Sequence, residues 1–160
     1  MGVLATEATL KSDKFNALLA TLPNHCRFIK QSGAGLVPLI EAGKADSEET
    51  LDLLGKHLEP ILDAGSDTLV LGCTHYPFLR KSIRKLLGAT ITLINTSDAV
   101  VRQLKRQLEA VGHSSDSGEY GSVLLISSKD EASLLTMAKD LLSSDLNLHS
   151  IHSAFLGDVS

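Results

Sequence analysis

The sequence predicts an α/β fold, a mostly parallel sheet with helices on both faces. Two observations predict it. Strand-length apolar runs alternate along the whole chain with segments whose apolar residues recur near every 3.6 positions. Hydrophobic residues make up 43% of the 160-residue chain, enough to fill a core. Six strands and five helices are expected in strict alternation, with no repeat at fixed period.

Residues 2–6 read as a buried strand. Ser12 or Asp13 then caps a helix carrying Phe15, Leu18, Leu19 and Leu22, and Pro23-Asn24 ends it. A second strand is expected over 26–30, with Cys26 as a small buried hydrophobe beside Phe28 and Ile29. Gln31-Ser-Gly-Ala-Gly35 is a turn without the glycine spacing of a nucleotide loop. Glu41, after Leu36-Val-Pro-Leu-Ile40, reads as an acid on a surface loop, although its apolar flank also fits a carboxylate held near the interior.

Ser47-Glu-Glu-Thr50 opens a long helix with Leu51, Leu54, Leu58, Ile61 and Leu62 on one stripe and His57 at its boundary. Gly65 ends it, and 67–71 is the third strand. Pro77 fits a first helical position, with Leu79, Ile83, Leu86 and Leu87 forming the buried face up to Gly88. A strand over 90–96 leads, through a cap at Ser97 or Asp98, into a helix bearing Val100, Val101, Leu104, Leu108 and Val111. A loop over 112–121, a strand over 122–127, a helix over 130–143 and a strand over 149–154 complete the chain. A domain boundary is expected just after the third strand, dividing 1–79 from 80–160.

Composition excludes several functions. A net charge of −4 and a pI near 5.8 argue against nucleic acid as a partner. The cluster Arg80, Lys81, Arg84 and Lys85 reads as a solvated helix face. No apolar run has membrane-spanning length and no secretory leader is visible, so the expected location is cytoplasmic. Two cysteines cannot build a disulfide framework. His149 and His152, with no nearby acid or thiol, do not make a metal site.

The chemistry gathers at Leu69-Val-Leu-Gly-Cys-Thr-His-Tyr-Pro77. A strand ends at a glycine, a thiol and an imidazole follow two residues apart, and a helix begins. Parallel strands present ligands at their carboxyl ends, and a thiol acts as base or nucleophile only as thiolate. His75 and the following helix favour that form, while Thr74 offers a hydroxyl and an N–H to a carboxylate. An inert cysteine at a strand end stays open at this point. Thioester hydrolysis, with Glu41 orienting His75, redox work and proton transfer at carbon also stay open, redox being weakened by the lack of a nearby resolving cysteine.

Gly2-Val-Leu-Ala-Thr6, Leu36-Val-Pro-Leu-Ile-Glu41 and above all Leu69-Val-Leu-Gly-Cys-Thr-His-Tyr-Pro77 resemble, in order and in spacing, the glutamate racemase family of the aspartate/glutamate racemase superfamily. The resemblance continues through Thr92-Leu-Ile-Asn-Thr-Ser97 and 122–142. It implies cofactor-independent, metal-free interconversion of L- and D-glutamate, supplying the D-enantiomer for peptidoglycan. One cysteine thiolate removes the α-proton and a second thiol protonates the opposite face. By motif position Cys73 is the base acting on L-glutamate, His75 assists it, Thr74 contacts a substrate carboxylate, Glu41 pairs with the histidine side, and Thr6 lines the cleft.

The departures carry information too. The family's Asp-Ser-Gly motif, Pro-Tyr-Gly loop and Cys-Asn-Thr turn, which precede the match to residues 2–6, do not occur in the sequence. Cys26 falls at an unrelated position, Asn95 stands where the family has aspartate, and Ser32-Gly33 replaces a Cys-Pro turn. The chain thus resembles the second racemase domain plus the returning part of the first. Weak or no racemisation by it alone is expected, together with homo-oligomerisation or association through an exposed sheet edge. The other readings are a single-cysteine decarboxylase of the superfamily and a non-catalytic binding or assembly module.

Overall fold

The computed structural model describes residues 1–23, 25–113, 123–127, 134, 138 and 151–155. They form two compact units, Met1–Gln107 and Leu108–Ser160. In the first unit, strands β1 (Gly2–Ala5), β2 (Ile29–Ser32), β3 (Thr68–Gly72) and β4 (Thr92–Asn95) make a parallel sheet in the order β2-β1-β3-β4. Every residue of β1 is buried, as a central strand covered on both faces requires. The chain steps from β1 outward to β2, then back across β1 to β3 and on to β4. Right-handed crossovers in opposite directions place the connecting helices on opposite faces.

Those helices are α1 (Glu7–Lys11) and α2 (Asp13–Ala20) in the first crossover, then α3 (Leu36–Glu41) and α4 (Glu48–Asp63) in the second. A 3-10 turn (Tyr76–Leu79) and α5 (Arg80–Leu87) make the third crossover, and β4 runs directly into α6 (Thr96–Ala110). The core is built from Leu4 and Ala5 of β1, Leu36 and Ile40 of α3, Leu54, Leu58 and Ile61 of α4, and Leu69 and Leu71 of β3. Tyr76, Leu79 and Ile83 close it. Ser82 of α5 donates to Ala45 O (2.8 Å) and to Asp46 (3.1 Å), stitching α5 to the segment that enters α4.

Several expectations shift. A helix absent from the pattern reading, α1, starts at Thr6, whose hydroxyl accepts from the Thr9 N–H (3.2 Å). Too short to show a period, it is nucleated by that cap. Ser12 caps α2 as expected. The second strand lies three residues later than the apolar run, because pairing of Gly2 with Ile29 sets its register. Cys26 therefore sits in the preceding loop, half-buried rather than in the core. Glu41 is the last residue of α3 instead of a loop acid. Leu62 and Leu86 are exposed at the edges of their stripes, and the N-terminal cap of α6 is Asn95, whose side chain accepts from the Ser97 N–H (3.0 Å).

The compact units part after Gln107. Pairing of β4 along β3, from Thr68–Thr92 to Leu71–Asn95, keeps residues 80–95 with the first sheet. In the second unit, β5 (Val123–Ser127) and β6 (Ile151–Phe155) pair in parallel, and Leu134 and Ala138 are helical. The remainder of the loop expected over 112–121 and of the helix over 130–143, with His149, lies outside the described residues.

Candidate active site

The order β2-β1-β3-β4 puts a topological switch between β1 and β3, whose following crossovers leave to opposite sides. In open parallel sheets the crevice beyond the carboxyl ends at such a point is the ligand site. Ala5 at the end of β1 pairs with Gly72 at the end of β3, so Thr6 and Cys73 are the first residues beyond one paired row. Strand spacing sets that row about 4.8 Å apart. Gly72 is required here, since a Cβ on it would lie 2.9 Å from Ala5 Cβ.

Cys73 is a free, half-buried thiol at the head of the turn, and its carbonyl accepts from the Tyr76 N–H (3.3 Å). Thr74 is exposed at the crevice. His75 Nε2 lies 3.1 Å from Glu41 Oε1. An ionised carboxylate only accepts, so the proton of this bond sits on Nε2, while Nδ1 lies 3.4 Å from the Thr74 hydroxyl, which can donate to it when the ring is neutral. Glu41 is thus brought from 34 residues away to fix the ring's tautomer. The pair is partly solvated, with the two side chains 31% and 51% exposed, so it orients the ring more than it stabilises the fold.

Thr6 follows β1 at the same end of the sheet as Cys73, and its hydroxyl is engaged in the α1 cap and with the Thr9 hydroxyl (2.9 Å). Cys26 lies before the amino end of β2, at the opposite edge of the sheet from Cys73. The four paired residues alone separate those edges by about 13 Å. Among the described residues no group of three or more His, Cys, Asp or Glu side chains is placed to hold a metal ion, and no helix is long and apolar enough to cross a membrane.

Pattern reading missed two contacts behind the site. The Tyr76 hydroxyl, fully buried, donates to Gly33 O (3.1 Å), and His57 Nε2 donates to Ala34 O (2.9 Å). Burial, with a smaller contribution from the charge of Cys73, pushes the Tyr76 phenol up to about 12. A polar-tipped aromatic inside an otherwise apolar turn was the available signal.

The model of the Asp/Glu/Hydantoin racemase family matches residues 1–115. The chain belongs to that family. Among curated racemase relatives, the glutamate racemase of Ralstonia nicotianae is 50% identical over 142 residues, 89% of this chain and 51% of the relative. That of Herpetosiphon aurantiacus is 42% identical over 132 residues, 82% of this chain and 52% of the relative. The chain thus spans about half the length of the curated racemases it matches. A glutamate racemase structure from Bacillus anthracis superposes with a TM-score of 0.80 at 24% identity, over 99% of this chain and 57% of that one. The Escherichia coli glutamate racemase, in complex with L-glutamate and the activator UDP-MurNAc-ala, superposes with a TM-score of 0.69 at 26% identity, over 96% and 57%. This racemase-family sheet accordingly shares the solved enzymes' architecture.

Proposed function

We propose that this chain carries one wall of a glutamate racemase site, with Cys73 as the thiolate base for the α-proton of L-glutamate. The observation that supports this most is the place of the Cys73-Thr74-His75 turn at the β1/β3 crevice, with Glu41 bonded to His75. The substrate is carried over from the relatives, which are named as glutamate racemases, and from the L-glutamate complex of the E. coli enzyme. Those relatives are racemases, so a single-cysteine decarboxylase is the less favoured reading.

In the proposed step the Cα–H bond breaks, the proton passes to Cys73 sulfur, and the electron pair left on Cα spreads into the substrate carboxylate. Thr74 contacts that carboxylate, His75 assists Cys73, and Thr6 shapes the crevice wall. Inversion then requires a proton from the opposite face. Cys26 is at the far edge of the sheet, and Tyr76 directs its proton at Gly33 O. The second acid therefore comes from the other half of a racemase, which this chain, spanning half the length of its relatives, meets as a second wall. The unburied apolar side chains of α6, among them Val100, Val101 and Leu104, support such association, as do the edge positions of β2 and β4 among the described strands. The reaction uses no metal or cofactor, takes place in the cytoplasm and supplies D-glutamate to peptidoglycan.

The test is deuterium incorporation at Cα of L-glutamate in D2O, with chiral analysis of the recovered amino acid. Exchange with retained configuration is expected, lost in Cys73→Ala and unchanged in Cys26→Ser. Exchange that survives Cys73→Ala would overturn the assignment of the base. Rapid two-way inversion by the chain alone would overturn the single-wall reading.

A further inference from the structure

Adjacent residues of one turn reach the two ends of α3. His75 bonds Glu41, the last residue of that helix, while Tyr76 bonds Gly33, three residues before its first. The bend between Gly33 and Gly35 is held from a second side as well, because His57 of α4 donates to the very next carbonyl, Ala34 O. Gly33 itself is buried and its amide continues the sheet by donating to Ala5 O (3.0 Å), so the bend has little freedom left. A Cβ on Gly33 would collide with the Tyr76 hydroxyl, which shows how closely the phenol is seated. The six residues of α3 span only about 9 Å, so a shift of the bend is delivered almost undiminished to Glu41.

Neither contact is needed to bury the groups involved. A phenylalanine would fill the same core volume as Tyr76, and His57 is only half-buried. What the two polar atoms add is direction: they fix consecutive carbonyls of the bend against two different elements. From this we propose that Tyr76 and His57 are positioning residues, which clamp the Gly33-Ala34 bend so that α3 delivers Glu41 to His75 and, through His75, sets the reactivity of Cys73. The last clause rests on the reading of Cys73 and His75 as the acid–base turn.

The experiment uses the full chain with Cys26→Ser, leaving Cys73 as its one thiol, and follows the rate of Cys73 alkylation by iodoacetamide against pH. Tyr76→Phe and His57→Ala are expected to displace that profile in the same direction as Glu41→Ala. His57→Gln, whose amide can still donate to Ala34 O, restores it. In a Glu41→Ala background Tyr76→Phe is expected to add nothing, because its route to Cys73 is gone. A profile unchanged in Tyr76→Phe while Glu41→Ala displaces it, or an equal displacement with and without Glu41, would overturn the proposal. Amide hydrogen exchange of Leu36–Glu41 separates the clamp from the chemistry. Loss of one net hydrogen bond should speed it about fivefold in Tyr76→Phe. Faster exchange together with a Cys73 profile indifferent to Glu41 and His75 would overturn the acid–base reading while leaving the clamp standing; unchanged exchange would overturn the clamp itself.

Discussion

Replacing Gly33 by alanine adds one methyl group, and its consequence can be worked from the packing. The backbone poses no obstacle, since Gly33 is not among the glycines at positive φ. The space does. The new Cβ would meet the Tyr76 hydroxyl, lie 2.7 Å from Tyr76 Cζ and 3.0 Å from Leu36 Cδ1, against the 3.5–4.0 Å or so that carbon contacts prefer. Tyr76 and Leu36 are both 0% exposed, so neither can swing into solvent. Overpacking of this kind costs about 1–3 kcal/mol, and displacing the phenol from Gly33 O costs about 1 kcal/mol more. Stiffening of the unfolded chain returns about 0.4–1 kcal/mol, leaving a net loss of about 1–3.5 kcal/mol. With a urea slope of about 2 kcal/mol/M, the midpoint should fall by about 0.5–2 M. Gly55→Ala is the internal control: it lies within α4 with nothing within 4 Å of a Cβ, and should raise stability by about 0.5–1 kcal/mol. A Gly33→Ala midpoint equal to that of the parent would refute the argument that the phenol and the bend are packed without slack.

Two further predictions concern pH. The Tyr76 phenol titrates near 12 when folded and near 10 when unfolded, so stability is complete below pH 10 and should fall between about 10 and 12, by of order 2–3 kcal/mol. Urea midpoints across that range should lose this limb in Tyr76→Phe. Asp46 is held below its ordinary 3.8, first by the hydrogen bond from Lys81 (2.8 Å) and then by that from Ser82. Its contribution is present above pH 3.8 and lost as pH falls through the lower folded value. The advantage of the parent over Asp46→Asn should therefore vanish in acid, and salt should weaken the exposed Lys81 share while sparing the Ser82 bond.

Legibility in the sequence followed the range of the interactions. Period and punctuation placed α2, α4 and β3 well, because their apolar stripes and their Ser12 and Ser47 caps are local. The start of β2 was misplaced because register depends on its partner strand, and Cys26 was misread with it. For Glu41, local pattern allowed either a surface loop or an interior position. Its helix and its partner depend on how α3 packs beside the 3-10 turn.

Sequence alone determined the alternation of strands and helices and the Cys73-Thr74-His75 turn at a strand end, since both are written in consecutive residues. Tertiary structure alone decided that the turn opens at the β1/β3 switch point, that Cys26 lies at the opposite edge, and that Glu41, Gly33 and Ala34 are gripped by His75, Tyr76 and His57. The physical reason is that a hydrogen bond between residues 23 to 43 positions apart exists only once strand order and crossover direction have brought their helices together.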